Sequence, residues 1–343
     1  MKVRIKEVAV AAGVSAATVS KVLSGRADYP VHAQTAERVR RVARDLGYVP
    51  DVAARHLRTR QTGQLGVVLE AVGPSEPDSL LGGLSVSHAV RRTFDGAIMA
   101  GLSEAARELC VPALVVYPGG DLDVRTFLDG RVDGLLVSCD PLRGHGLLSG
   151  LTHAPVPVVA LWTQRAPAGI GVVDVDHTHG TGIAVRHLLA LGHERIAFYG
   201  GGAGSGVEHF ARREAGYRQA LEHAGLMPLP AIHDGGRLLQ AIHDGVTAVC
   251  AETDLGAAAA FHAMHRAGLH VPTDVSLVGF DDIQGAEYIA GGLTTVYQPA
   301  AEMAAAGVRA LVASLDGKAP RTTLLKPRLI ERHSTAALGV PRR

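Results

Sequence analysis

Thr18, Ser20 and Lys21 fall within one short stretch, AGVSAATVSKVL (residues 12–23). A lysine on an exposed helix face reaches guanine O6 and N7 or a phosphate, and hydroxyls donate to phosphate oxygens. Ala16 and Ala17 are short and offer only apolar contact, for instance with a thymine methyl. No catalytic constellation emerges elsewhere: there is no Ser-His-Asp or paired-carboxylate motif. Asp281 and Asp282 are adjacent, so on a strand they face opposite sides. The best histidine pairs, His177/His179 and His262/His265, lack a third ligand at recognisable spacing. GGGAGSGVEH (200–209) lacks the Lys-Ser/Thr of a phosphate-cradling loop. The expectation is a binding protein, not an enzyme, with no metal and no cofactor.

The polar trio needs a scaffold. Ile5, Val8, Ala9 and Ala12 recur at helical spacing. Gly13 tolerates the positive φ of a helix end, and Ser15 is placed to cap a second helix. Val19, Val22 and Leu23 give that helix a buried side. Helix, tight turn, helix is the DNA-binding helix-turn-helix, whose second helix enters the major groove. A third helix is predicted over Gln34–Leu46, packing Val39, Val42 and Leu46 beneath the pair. Pro50 stops it, and Val52–Leu57 is helical in pattern but too short to be stable alone. Such a segment beside a basic flank could fold only on contact with DNA.

Charge supports this reading. Residues 1–62 carry twelve Lys and Arg against five Asp and Glu, a net +7, while the remainder of this net +1 chain carries −6. A basic head on an acidic body suits a polyanion partner for the head. Three widely spaced cysteines, Cys110, Cys139 and Cys250, form no disulfide framework and fit a reducing cytosol, as small buried hydrophobes. The N-terminus superficially imitates a signal peptide, but Glu7 interrupts a very short apolar stretch. No apolar run reaches a membrane span, so a cytoplasmic protein without a membrane partner is expected.

At 343 residues the chain exceeds one ordinary domain. From Gln64 onward, apolar runs alternate with amphipathic helical stretches. The runs are 65–70, 113–117, 134–138, 156–161, 171–175, 195–200, 248–252 and 275–280. Short continuous apolar strands between helices mean parallel sheets. The expected organisation is a helix-turn-helix domain over 1–49, a hinge helix and linker over 50–63, and an α/β domain over 64–343. The last has two parallel-sheet subdomains, with a break near 164–169 and a return near 292–298.

The segment IKEVAVAAGVSAATVSKVLSG…TAERVRRVARDLGYVPDVAARHLR resembles the head of the LacI/GalR family of bacterial transcription regulators. The landmarks RVDGLLVS, HLLALGHERIAFYGG, RREAGY, VPTDVSLVGFDD, LTTVYQP and IERHST resemble that family's periplasmic-binding-protein-like effector domain. The chain departs from the family pattern at Asp51, in the loop between the second and third helices, and over 71–93. The resemblance implies a hinge in which Leu57 wedges into the minor groove, Ala54 lies beside it, and Tyr48 lies at the phosphate backbone. It places Arg213, Asp281, Thr253 and Gln298 around a small effector in the cleft between subdomains. Trp162 stands at the cleft mouth, where an aromatic ring stacks on a sugar or a purine. Phe94 and Asp95 match pocket-lining positions. Asp254 is expected to cap the following helix.

The implied function is a repressor that binds a near-palindromic double-stranded operator as a homodimer, with affinity set by an effector. A sugar is the first effector class and a nucleobase or nucleoside the second. The competing reading is a solute-binding protein with no operator.

Overall fold

The computed structural model describes residues 3–24, 31–48, 61–69, 86–118, 124–138, 144–201, 204 and 207–339. Ala54 and Leu57 of the expected hinge, Asp51, the loop at 25–30, Cys139 and most of the 71–93 stretch lie outside them. Two compact units divide the chain, Met1–Thr62 and Gly63–Arg343.

In the first unit, α1 (Ile5–Ala12) buries Val8, Ala9 and Ala12 and ends at Gly13, whose φ of 65° takes the chain out of the helix. Ser15 Oγ accepts the Thr18 N–H at 3.1 Å and so caps α2 (Ala16–Ser24). Val19 and Val22 meet Val39 and Ala43 of α3 (Ala33–Asp45) in a small core. Leu46, expected in that core, is 40% exposed. The helix has ended by then, and Ala43, on its inward face, takes the buried position.

The second unit holds the remaining elements: β1 (Gln64–Leu69), α4 (Val86–Glu108), β2 (Ala113–Pro118), β3 (Gly134–Ser138), α5 (Gly144–Gly150), β4 (Val158–Leu161), β5 (Gly171–Val175), α6 (His177–Ala190), β6 (Ile196–Tyr199), α7 (Glu208–His223), α8 (Gly235–His243), β7 (Ala248–Ala251), α9 (Asp254–Arg266), β8 (Ser276–Asp281), β9 (Thr294–Tyr297), α10 (Ala300–Leu315), β10 (Thr322–Leu325) and β11 (Arg328–Ile330). All eight apolar runs form strands. One sheet has the order β10-β5-β4-β3-β1-β2 and the other β11-β9-β8-β7-β6. The pairings are parallel except β11 with β9. Strands β3, β4, β5, β6, β7 and β8 are buried along their whole length, as strands covered on both faces are.

The break expected near 164–169 is displaced. Residues 162–170 are a loop between neighbouring strands, since Val159 of β4 pairs with Gly171 of β5. Proline and glycine mark that loop equally well whether it ends a lobe or a strand. The chain leaves the first lobe after β5, at Asp176–His177. It returns at Gln298–Pro299, where α10 runs back to pack on α4. Gly101 permits that helix crossing, because a Cβ there would overlap the Ala301 carbonyl. A third crossing, Lys326–Pro327, joins β10 of the first sheet to β11 of the second.

Candidate functional site

In the head, Ser15, Ala17 and Lys21 are exposed, while Ala16, Thr18 and Ser20 are half-buried. Ala16 packs against the three-helix core, so among the alanines Ala17 has the open methyl. Thr18 Oγ1 lies 2.9 Å from Ser15 Oγ and shares the cap. Tyr48 packs on the same core and ties its N–H to the Ala43 carbonyl at 2.8 Å. Lys21 therefore carries the long exposed polar reach of this helix.

In the larger unit, ligand-binding groups of a doubly wound fold belong at the carboxyl ends of strands. Trp162 follows β4, Thr253 follows β7, Asp281 ends β8, and Gln298 follows β9. Trp162, Asp281 and Asp282 all have positive φ, at 64°, 122° and 54°. Strained non-glycine backbone of this kind costs about 1–3 kcal/mol per residue and clusters at ligand sites.

Arg213, on α7, is the hub. It is 2% exposed, so it is no surface ion pair. Its Nη2 lies 3.0 Å from Asp281 Oδ1. Its Nη1 donates to the Glu252 carbonyl at 2.6 Å and its Nε to His177 Nδ1 at 3.3 Å. The guanidinium carbon stands 3.8 Å from the Phe280 ring centroid, a cation–π contact that fixes its plane. Gln298 Nε2 donates to Asp281 Oδ1 at 2.6 Å. Burial pushes the Asp281 carboxyl up, and Arg213 and Gln298 oppose that push. Asp282, just past the end of β8, turns away to Arg332, 2.7 Å from its Nη2.

Thr253, not Asp254, caps α9: Thr253 Oγ1 accepts the Gly256 N–H at 2.9 Å. Asp254 is instead a buried tie, accepting from the Thr295 hydroxyl and from the Ile283 N–H at 2.9 Å. Burial, followed by the Asp281 charge, raises its carboxyl to about 8. The error is one residue of register: a carboxylate one position past the cap is suited to the helix N-terminus but faces the core here.

Phe94 is 9% exposed within the first-lobe core and lies 5.5 Å from Trp162. Trp162 is half-buried and packs against the same core. The backbone of Asp95 is helical, and its side chain lies outside the described residues. Cys250 is buried, whereas Cys110 is exposed, against the expectation of a buried hydrophobe. Cys110 follows α4 with a φ of 54°, at the helix end where the chain turns outward.

Several participants escaped motif reasoning. His177 begins α6 directly after the crossing and is fully buried. Burial holds its imidazole below the usual range, although Asp174 draws it up. Its neighbour His179 is exposed, so the two do not converge. Glu208, first residue of α7, joins the lobes: its carboxylate accepts from Thr163 Oγ1 at 2.8 Å and from the Gln164 N–H at 3.2 Å. The same carboxylate accepts from Arg212 Nε at 3.0 Å and Nη2 at 2.8 Å. The Glu252 carboxylate accepts the Gly201 N–H at 3.1 Å. The one legible signal was position: each lies at a strand end or a helix start beside a crossing. Among the described residues no group of three or more His, Cys, Asp or Glu is arranged to hold a metal ion, and no helix is long and apolar enough to cross a membrane.

Comparison with known proteins agrees with this geometry. Residues 4–51 match the family described as bacterial regulatory proteins, lacI family. Residues 185–335 match the periplasmic binding protein-like domain. The HTH-type transcriptional regulator DegA of Bacillus subtilis (strain 168) is 30% identical, over 99% of this chain and 100% of its own. Among solved structures, the lac repressor dimer bound to operator and the anti-inducer ONPF aligns with a TM-score of 0.73 at 26% identity, covering 98% of this chain and 100% of that one. The transcriptional regulator CelR–cellobiose complex aligns with a TM-score of 0.65 at 28% identity, covering 97% and 100%. With a helix-turn-helix head, two parallel-sheet lobes and relatives matched end to end, this chain belongs to the LacI family of bacterial regulatory proteins.

Proposed function

We propose that this protein is a ligand-responsive repressor of transcription, not an enzyme, that works in the cytoplasm. It binds a near-palindromic operator as a homodimer, through α2 in the major groove and Ala54–Leu57 in the minor groove. A small effector, a sugar, sits between the lobes near Arg213, Asp281, Gln298, Thr253 and Trp162 and shifts operator affinity through linkage. The observation that carries this reading is the pairing of one head with one body. An exposed Lys21 on a capped second helix precedes a two-lobed unit with strained, charged residues at its strand ends. The neighbour solved on an operator and the neighbour solved with cellobiose support the two halves of the proposal.

Fluorescence anisotropy tests it. Labelled palindromes from the DNA flanking the gene, and a scrambled duplex, are titrated at one fixed near-physiological salt. The expected outcome is a preference of about 10³ or more for one palindrome, lost in Leu57→Ala. Equal weak binding to every duplex, with and without sugars, would leave a solute-binding protein in its place.

A further inference from the structure

We infer that residues 333–338 form a C-terminal strap that acid releases, with His193 as its latch and His187 as a second proton-sensitive group. The inference concerns the larger unit alone and does not rest on the regulator reading.

The strap follows β11 and crosses the amino ends of the second sheet's strands. The His333 and Ser334 N–H groups donate to the Gly292 carbonyl at 2.9 and 3.0 Å, and the Leu338 N–H donates to the Leu191 carbonyl at 2.9 Å. The Leu277 N–H donates to the Ser334 carbonyl at 2.8 Å, and the Ala336 N–H to Ser276 Oγ at 3.0 Å. Apolar burial adds little: of the strap residues Ala336 alone is a buried hydrophobe, and Leu338 is 51% exposed. A segment held by hydrogen bonds, with few apolar contacts, opens more readily than the strands beneath it.

His193 is 3% exposed, and both of its ring nitrogens are engaged. Nε2 lies 2.9 Å from the Ala336 carbonyl, which can only accept, so the proton resides on Nε2. Nδ1, 3.0 Å from Thr247 Oγ1, therefore accepts that hydroxyl. This arrangement favours the neutral ring. A proton arriving at Nδ1 turns the Thr247 hydroxyl away from its acceptor and leaves a charge buried. His187 holds the neighbouring strap residue: its Nε2 lies 3.0 Å from Thr335 Oγ1, which lies 3.3 Å from Thr294 Oγ1. Burial holds both imidazoles low, and a charge on His187 opposes one on His193. The surrounding charges give little relief. Glu331 stands 4.0 Å from His187 Nδ1 but is 70% exposed. Arg195 reaches the Asp244 carbonyl, Arg332 pairs with Asp282, and His270 pairs with Asp274. Arg186, Glu194 and His333 are exposed. When the strap lifts, both rings meet water and titrate near the ordinary value of about 6.5. Above that pH both rings are neutral in either state, and the strap keeps its full hold. Each unit of pH below it favours the open strap by up to about tenfold per histidine. Release frees the Leu277 N–H and the Ser276 hydroxyl at the start of β8, whose far end carries Asp281. Acid thus loosens the second lobe from the end opposite the candidate site.

Amide hydrogen exchange on the full-length protein tests the latch, compared at about pH 7.5 and about pH 5.5, either side of the ordinary histidine value, with intrinsic rates corrected for pH. The strap amides and the Leu277 amide should lose protection by about tenfold or more at the lower pH. The amides of β3 and β4, in the first lobe, should keep theirs. His193→Gln retains a donor for the Ala336 carbonyl but takes up no proton, so its loss should be smaller by about tenfold. His187→Gln should reduce the loss in the same direction. The wild-type comparison decides alone if either variant folds poorly. The inference is overturned if strap protection is the same at both pH values, or if the first-lobe strands lose protection in step with the strap. It is equally overturned if both variants keep the full wild-type loss.

Discussion

Replacing Glu208 by alanine should loosen the two lobes, and the size of the effect follows from the donors it strands. Glu208 is 5% exposed and Thr163 is 3% exposed. Removing the carboxylate leaves the Thr163 hydroxyl and the Gln164 N–H without their acceptor. A hydrogen bond to a charged group contributes about 1.5–3 kcal/mol, and a stranded buried donor costs about 1–3 kcal/mol. The Arg212 contact adds little, because that side chain is 34% exposed and solvent screens it to under about 1 kcal/mol. Glu208→Ala should therefore cost about 3 kcal/mol. For a unit of this size that lowers Tm by about 6 °C. A double-mutant cycle with Thr163→Val isolates the contact across the lobes, and about 1.5 kcal/mol of coupling is expected. The assay has a built-in reporter. Trp162 is the only tryptophan and precedes Thr163, so its emission should shift to the red as the loop frees itself. A coupling energy below about 0.3 kcal/mol, with unchanged emission, would refute the claim that this contact holds the lobes.

Three further outcomes follow. Gly101→Ala should destabilise by about 2–3 kcal/mol, because its Cβ meets the Ala301 backbone. Gly96→Ala on the same helix meets nothing within 4 Å and should be neutral or stabilising by up to about 1 kcal/mol; thermal melts compare the two. Lys21→Ala should weaken operator binding and reduce the slope of log K against log salt by about one if the lysine holds a phosphate. An unchanged slope with relaxed sequence preference would place it on a base. The imidazoles of His177, His187 and His193 are all held low by burial. Their unfolded forms bind protons first as pH falls, so stability is intact above about 6.5 and declines below it. His177→Asn should flatten that decline in a series of melts against pH. An identical pH profile would mean that His177 does not titrate on unfolding.

Much of the fold was legible in the sequence, because it depends on local pattern. Eight continuous apolar runs dictated eight strands, six of them buried along their whole length, since a strand covered on both faces has no polar positions to display. Gly13, Ser15 and the spacing of Val19 and Val22 specified the helix-turn-helix through bonds and contacts a few residues apart. The eventual neighbours of Arg213 and Asp281 were not legible by the same means. Arg213 meets Asp281, Glu252 and His177 across 68, 39 and 36 residues, and no local pattern encodes such distances.

The sequence by itself determined that a basic helical head precedes an acidic two-sheet body, because charge distribution and hydrophobic periodicity are properties of the chain read in order. Only the tertiary structure decided where the chain changes lobes, which of Thr253 and Asp254 caps a helix, and which polar atoms remain open. The crossing after β5 is set by the pairing of Gly171 with Val159, a contact between strands. The cap is set by which residue faces the core. Among the described residues, Asp281 Oδ2 and Gln298 Oε1 are buried without a hydrogen-bond partner, and that remainder exists only once segments distant in sequence have packed together.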